Sequence, residues 1–474
     1  MTPTPPTDRT RPSENPIREL VSIAAPTVAA MTSYTLMQFV DKWMVSRISP
    51  DPIYVGAQGN GGLAAFVPIA VVMGFLTIVN TYVSQNLGAG KPERGAAYAW
   101  NGLWIALGGA VLLVPYGFAL PSLFEALGHS AERVALEAGY GRILVFGAFL
   151  TMASRGVAQY FYGIHKPSVI LVASLAGNLV NLVLNYGLIY GNLGMPKWGI
   201  EGAAVATVVG TGVEFLIPMW SFLFPMHRKF GTRSGWKPSW SHISDIARLG
   251  WPGAVMFGNE MVCWAIFMVK LVGGFGEKHS TAGWIAHQYM SLSFMPTVGI
   301  SIAITATVGK CMGMGRPDLA AQRAKLGVAL ACIYMSVCAI VFVVFREPLV
   351  RLFIREGTPP EDAELLVRLG SGFLIATAAF QFFDGLAMSL SGALRGAGDT
   401  RWVGVATILL SWGVIVGGGH FVVWKFPQWG STGPWMAAAA YIILLSLVIL
   451  ARFWGGKWKT LRLIDRPEAA AHRS

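Results

Sequence analysis

The sequence predicts an all-α integral membrane protein, with twelve transmembrane helices arranged as two pseudo-symmetric six-helix bundles. Three observations carry this. Hydrophobic residues make up 54% of the 474 and charged residues only 13%, with 17 Trp and 56 Gly, and the mean hydropathy is +0.53; soluble domains do not have such a composition. The apolar residues come in long unbroken runs, not in the alternating segments of about ten residues that an outer-membrane barrel requires. One motif also occurs twice. Gly88-Ala89-Gly90-Lys91-Pro92-Glu93 and Gly313-Met314-Gly315-Arg316-Pro317-Asp318 share G-x-G-basic-P-acid, each with a valine five residues upstream (Val83, Val308). Pro26 and Pro252 repeat at nearly the same offset, so the chain reads as two halves of common design.

Residues 1–16 are rich in Pro, Thr and charge and are expected to form a disordered cytosolic tail. The first apolar run, 17–47, is too long for a signal-peptide core and has no clear cleavage site, so it stays as the first span. Cutting at charged, Gly-rich and Pro-rich punctuation places the others at 60–86, 97–121, 139–163, 168–191, 200–225, 246–272, 282–308, 322–346, 365–392, 400–424 and 433–456. The basic stretch between the sixth and seventh spans divides an N-terminal bundle (17–226) from a C-terminal one (246–456) through a cytoplasmic linker (227–245). A cytosolic tail, 457–474, closes the chain.

Alternate connections carry the basic residues that set orientation: Lys91 and Arg94; Lys166; Arg228, Lys229, Arg233 and Lys237; Lys310, Arg316, Arg323 and Lys325; Arg395 and Arg401; then Lys457, Lys459 and Arg462. The opposite connections hold Glu125, Glu132 and Glu137, then Glu356, Glu361, Asp362 and Glu364. Both termini are therefore expected in the cytoplasm, with the chain multi-pass in the cell's inner (plasma) membrane. The net charge of +12 follows from this bias along one membrane face and calls for no nucleic-acid partner.

Four cysteines lie in or beside apolar runs without metal-ligand or CxxC spacing, so neither a disulfide framework nor zinc is implied. No GxSxG, HExxH, P-loop or kinase signature appears, and the chain is expected to be neither an enzyme nor a cofactor protein. The duplicated loop lacks the P-loop Lys-Ser/Thr pair; its glycines are expected to permit a tight turn while the basic residue anchors the cytoplasmic face.

Information therefore concentrates in the few ionisable groups inside the spans, where a charge costs on the order of 2.5 to 3.5 kcal/mol on insertion scales. Asp41 lies in the first span, Glu260 in the seventh and Asp384 in the tenth. Asp384 stands eleven residues before Arg395, about 16 Å along a helix, close to the midplane, with Gln381 on its face. Glu260 follows Pro252 by eight residues and has Asn259 beside it; Asp41 shares a face with Gln38. Each carboxylate is either an ion site or a structural hydrogen-bonded group, and for Asp41 the adjacent Lys42 and nearby Arg47 also allow a helix-end charge cluster. Asn178, Asn181 and Asn185 fall on one helix face, to line a wet cavity or to glue helices together. Arg155, deep in the fourth span, is either paired with a carboxylate or backbone carbonyls or placed in the cavity. Lys270 is expected to snorkel, and His287 either makes a satisfied polar contact or serves as a proton relay. Trp100, Trp198, Trp240 and Trp284 fit interfacial belts.

Several stretches resemble the multidrug and toxic compound extrusion (MATE) transporters: Val40-Asp41-Lys42-Trp43-Met44-Val45 with Pro26, Asn181-Leu182-Val183-Leu184-Asn185-Tyr186-Gly187, Gly202-Ala203-Ala204-Val205-Ala206-Thr207, Ala286-His287-Gln288, and Gly392-Ala393-Leu394-Arg395-Gly396-Ala397-Gly398-Asp399-Thr400. The resemblance covers nearly the whole chain. It implies the MATE fold, a V-shaped pair of bundles around a central cavity, and alternating-access exchange of cationic or amphiphilic compounds for Na+ or H+. Asp41, Glu260 and Asp384 match the acidic positions of the NorM-like branch, with Glu260 and Asp384 as the pair offered to Na+. Asn185 stands where another branch has an aspartate. Lys42 and Ser46 replace the small hydroxyl and glycine that usually follow the first-span aspartate, and Arg155 is a departure. Tyr34, Gln38, Gln381, the three asparagines and Arg155 complete the expected cavity set. Tyr34 is the first-half counterpart of Glu260, and Phe267 the second-half counterpart of Asp41. A monomer in membrane lipid is expected, and a lipid or lipid-linked saccharide flippase of the same superfamily is the alternative.

Overall fold

The computed structural model describes residues 15–49, 53–354 and 358–464. The predicted N-terminal tail up to residue 14, Glu356 and the tail beyond residue 464 lie outside the described residues. In the first half, α1 (Pro16–Val45) is followed by α2 (Ile53–Leu76) and α3 (Val79–Gly88), one span interrupted at Thr77 and Ile78. Next come α4 (Pro92–Ala126), α5 (Ala131–Phe146), α6 (Ala148–Gly163), α7 (Pro167–Tyr190), α8 (Gly199–Leu223) and the short α9 (Pro225–Phe230). In the second half, α10 (Trp240–Ile266) runs into a π-helical turn, Phe267–Val272, before α11 (Glu277–Gly313), α12 (Pro317–Val344), the short α13 (Arg346–Arg351) and α14 (Pro360–Ala397). There, α15 (Thr400–Leu410) continues through a π segment, Ser411–Gly418, into α16 (Gly419–Lys425), and α17 (Thr432–Trp454) ends the bundle. Among the described residues eleven helices are long and apolar enough to cross a bilayer, and the pair α5–α6, bent by 46°, makes a twelfth when taken as one span.

That bent pair corrects one boundary. The expected fourth span, 139–163, begins at Ala131, so Glu132 and Glu137 belong to a helix and not to a connection. Glu137 is fully buried, which its position permits because its neighbours neutralise it: Asn60 Nδ2 donates at 2.7 Å, Arg133 Nε at 2.9 Å, and His129 Nδ1 lies at 2.6 Å. The bend sits at Gly147, where any Cβ would overlap the side chain of Val208. The tenth span likewise runs past its expected end. Arg395 is inside α14, and Glu361, Asp362 and Glu364 begin that helix, where negative charge suits the helix dipole. The expected linker, 227–245, is partly helical, holding the end of α9 and the start of α10.

The two Gly-x-Gly loops have the same geometry. Gly90 and Gly315 both take φ = +73°, the left-handed conformation that glycine adopts without steric cost. The next amide in each, of Lys91 and of Arg316, caps the preceding helix by donating to Asn86 O at 2.9 Å and Cys311 O at 3.0 Å. Pro92 and Pro317 then open the following helices, where a missing N–H costs nothing. The first glycine of each pair has a different task. A Cβ on Gly88 would overlap the carbonyl of Lys310, and one on Gly313 the carbonyl of Gln85, so the helices α3 and α11 meet backbone to backbone across the two halves.

Around that crossing the halves lock together at the end of the bundle that carries the chain termini. Thr81 Oγ1 donates to Arg395 O at 2.9 Å and Gln85 Nε2 to Gly396 O, also at 2.9 Å. Gly74 lies against Ala254, Gly250 against Phe75, and Gly299 against Val28. A buried ion cluster reinforces the contact. The Glu19 carboxylate of α1 receives Lys310 Nζ at 3.2 Å and Arg323 Nε at 3.0 Å from the second half, with His165 Nδ1 of the first half at 3.9 Å. Lys310 and Arg323 are 5% and 3% exposed; they are paired inside helices, not free in connections as their sequence positions suggested. Removing one partner from a buried ion cluster costs about 3–5 kcal/mol, because the others stay buried without compensation. Cys311, buried beside this cluster, is a native reporter. In a variant with Cys263, Cys332 and Cys338 replaced by Ala, Glu19→Gln is expected to raise the maleimide-labelling rate of Cys311 at least tenfold. An unchanged rate would show that this cluster does not hold the terminal end closed.

Candidate functional site

The contacts between halves named above lie near the chain termini, and the candidate residues sit deeper along the same helices. Glu260 is six residues past Ala254 in α10, about 9 Å beyond that contact, and Asp384 is eleven residues before Arg395 in α14. The structure brings Glu260 and Asp384 into each other's electrostatic reach, with Tyr441 of α17 near both and Arg395 near Glu260. Both carboxylates are partly exposed, and among the described residues neither makes a direct ion pair. Two like charges within electrostatic reach of each other repel. No group of three or more His, Cys, Asp and Glu forms a preassembled metal cage among the described residues. Any Na+ here would need backbone, hydroxyl or water oxygens beside the two acids.

The surroundings of this pair are ordered by polar side chains. Asn259 donates to Ser411 Oγ at 2.8 Å and accepts from Trp412 Nε1 at 2.8 Å, joining α10 to the start of the π segment; such segments concentrate at functional positions. Gln381 does not join Asp384. It is fully buried, donates to Ser293 Oγ of α11 at 2.7 Å, and leaves its Oε1 without a partner. His287 lies between the rings of Trp264 and Trp284, and Lys270 is exposed on its π turn.

In the first half Asp41 is buried and receives Asn185 Nδ2 at 2.6 Å, while Asn185 also donates to Asn181 Oδ1 at 3.0 Å. Asn181 continues the chain to Thr207 Oγ1 of α8 at 3.4 Å, and Asn178 donates to Ser33 Oγ of α1 at 2.7 Å. The three asparagines therefore tie α7 to α1 and α8 and hold one carboxylate. The oxygens Asn178 Oδ1 and Asn185 Oδ1 remain unpartnered, so the same amides retain acceptor capacity. Gln38 turns away from Asp41, donating to Tyr34 Oη at 2.7 Å.

Arg155 does find a carboxylate, one the sequence reading passed over. Its guanidinium stacks 4.8 Å from the centroid of the Tyr34 ring and lies within electrostatic reach of Glu214 in α8, whose carboxylate is bonded by Ser174. The signal was present: Glu214 stands in the middle of the run 200–225, apart from Glu201 at its head, and an intramembrane acid facing an intramembrane arginine is the cheapest way to carry both. Glu19 was missed similarly, since its place at the head of α1 looks like an ordinary first-turn acid.

Comparison with known proteins places this geometry in a family. The MatE family model matches residues 26–187 and again 255–417, one match in each half. A probable multidrug resistance protein NorM from Synechococcus is 30% identical over 443 residues, covering 92% of this chain and 93% of that protein. The multidrug resistance protein NorM of Burkholderia vietnamiensis is 30% identical over 455 residues, 94% of each chain. Among solved structures, a MOP superfamily transporter from Pyrococcus furiosus superposes with a TM-score of 0.84 at 21% identity, covering 97% of this chain and 99% of that one. A multidrug resistance MATE family transporter in an outward-facing conformation gives the same TM-score, identity and coverage; at that identity the likeness concerns the fold. With its family model matched in both halves and NorM relatives aligned along nearly its whole length, the chain belongs to the MatE family of membrane transporters, on the NorM-like branch.

Proposed function

We propose that this protein is a secondary active efflux antiporter that exports cationic or amphiphilic organic compounds in exchange for Na+ or H+. The observation that carries the reading is the Glu260–Asp384 pair: two acids in one half, partly exposed and without a direct cationic partner. Such a pair binds one cation at a time, so a coupling ion and a positively charged compound compete for it. The alternation of basic and acidic connections supports assigning the terminal end to the cytoplasm. On that assignment the conformer described above is closed inside and faces outward.

The cycle then needs a differential affinity. A ligand moves an equilibrium between inward and outward states only by binding one better than the other. In the outward state, entry of Na+ or a proton between Glu260 and Asp384 removes their mutual repulsion and displaces the exported compound. Reversal requires the ion to leave on the cytoplasmic side, after the Glu19 cluster opens. Asp41 is a third acid on the opposite wall, and its hydrogen bond from Asn185 keeps it oriented. No prosthetic cofactor and no nucleic acid enter this reading; the partners are the exported compound, the coupling ion and membrane lipid, and the working unit is a monomer.

In everted vesicles loaded by a Na+ gradient at constant pH, or by a pH gradient at constant Na+, ethidium transport is expected under one regime or both. Glu260→Gln and Asp384→Asn are each expected to lower the rate at least tenfold, and unchanged rates in both would remove the pair from the coupling site. Asn185→Leu takes the donor from Asp41. A hydrogen bond to a charged group contributes about 1.5–3 kcal/mol, so a fall of several degrees in the melting temperature of the purified protein is expected; an unchanged value would show that the contact does not stabilise α1 on α7.

A further inference from the structure

The second half carries an exposed apolar groove that the proposed cycle does not use. α14 is packed between α12 and α17, and its residues Phe382, Leu386 and Leu390, one helical turn apart, line the groove. The space holds about 560 Å3. Along α12 its wall runs from Lys325 to Ile340, about 22 Å at the helical rise. Half of a bilayer of ~40–45 Å, headgroups included, has the same depth. Lys325 is the one charged residue on these walls among the described residues. It is exposed, and Asp318, two turns earlier on the same helix, is already bonded by Arg316 at 2.8 Å. Because α12 starts at the terminal end and helical side chains lean toward their helix N-terminus, the Lys325 stem carries its ammonium toward that membrane face. The exposed indole of Trp454, in the last turn of α17, stands at the same end.

We propose that this groove holds one anionic phospholipid of the leaflet at the terminal end, with an acyl chain along Phe382, Leu386 and Leu390 and the phosphate on the Lys325 ammonium. Three properties select this occupant. Apart from Lys325, Ser336 and Cys332 the walls are apolar, so hydrocarbon fills them and water does not. Lys325 makes no ion pair among the described residues, and a phosphodiester at headgroup level supplies the missing charge. A zwitterionic headgroup suits the place less well, because its own ammonium offsets that attraction. The length matches one leaflet and not two, which fits a lipid chain and not a membrane-spanning partner helix. The site belongs to the second half alone: one repeat earlier, about 225 positions back, stands Trp100, whose indole is bonded to Thr232 O at 2.7 Å. Phe382 and Leu386 each stand two positions from Asp384, about 200° around the helix, so a bound chain backs the helix that carries the acid on its other face.

Purified full-length protein in detergent, stripped of lipid, is titrated with palmitoyl-oleoyl phosphatidylglycerol or with the phosphatidylethanolamine of the same chains, and the first bound lipid is resolved by native mass spectrometry. The wild type is expected to bind phosphatidylglycerol at least fivefold more tightly. Lys325→Gln is expected to bring the two Kd values within twofold of each other, and Lys325→Arg to keep the preference. Lys270→Gln, which removes an exposed cation elsewhere, is expected to leave it unchanged. Ile333→Trp fills the groove from an exposed wall position and is expected to weaken both lipids at least threefold while the preference remains. Equal Kd values in the wild type, or a preference that survives in a monodisperse Lys325→Gln, would overturn the proposal. So would binding that Ile333→Trp leaves intact, since the chain would then lie elsewhere, and a wild-type dimer that Ile333→Trp dissociates, which would seat a second copy in the groove. None of these measurements passes through Glu260 or Asp384, so the lipid site and the efflux reading stand or fall separately.

Discussion

An ionisable side chain inside a bundle that sits in hydrocarbon has two tolerable states: neutralised at close range, or facing a water-filled space. This constraint sorts several interior charges among the described residues. Glu137 is neutralised by Arg133 and His129 on its own helix and the preceding turn, and Asp399 by Arg452 at 2.7 Å. Glu19 is neutralised across the two halves by Lys310 and Arg323. Glu260 and Asp384 make no direct ion pair among the described residues, with Arg395 only within electrostatic reach of Glu260, and both keep part of their surface exposed. These two residues are the ones the proposed cycle runs through.

Packing is equally restrictive where the halves meet. Contacts between backbones cannot be remade gradually, because glycine leaves no side chain to adjust. At Gly88 against Lys310 and at Gly313 against Gln85, the halves are either seated or apart. The two contacts are related by the internal repeat and join the same pair of helices, α3 and α11. The Glu19 cluster adds a charge-based threshold to the steric one, since its partners come from α11 and α12 in one half and from the turn after α6 in the other. The Gly-x-Gly motif is therefore more than a turn. Its second glycine makes the turn, and its first makes the seam.

Composition and repetition were enough to read the membrane class, the two-half design and the acids Asp41, Glu260 and Asp384, because insertion costs make an interior carboxylate conspicuous in any apolar run. Pairing was less legible. Glu214 lies in a run as apolar as the one holding Glu260, but only the three-dimensional packing of α6, α7 and α8 shows that it faces Arg155. Gln381 sits three residues from Asp384 in sequence, yet the α14 surface at that position is turned toward Ser293 and away from the acid. Helical periodicity gives the face a residue shares; it does not say which neighbour that face meets. Span ends were displaced for a related reason. Lys310, Arg323 and Arg395 look like loop charges in sequence because their counter-charges, or the cross-half contact beside them, are distant in the chain.

The internal repeat gives the two halves one frame, and the chemistry departs from that frame at matched positions. Tyr34 occupies the place that corresponds to Glu260, and Phe267 the place that corresponds to Asp41. Tyr34 supports the Arg155 guanidinium with its ring, whereas Glu260 offers a carboxylate to the second acid; Phe267 is fully buried against Trp435, whereas Asp41 is bonded to Asn185. A symmetric pair of acidic walls would hold a cation equally on either side and give it no directed exchange. Unequal walls leave the second half with the two facing acids, the pair for which the coupling ion and the organic compound compete on the proposed reading.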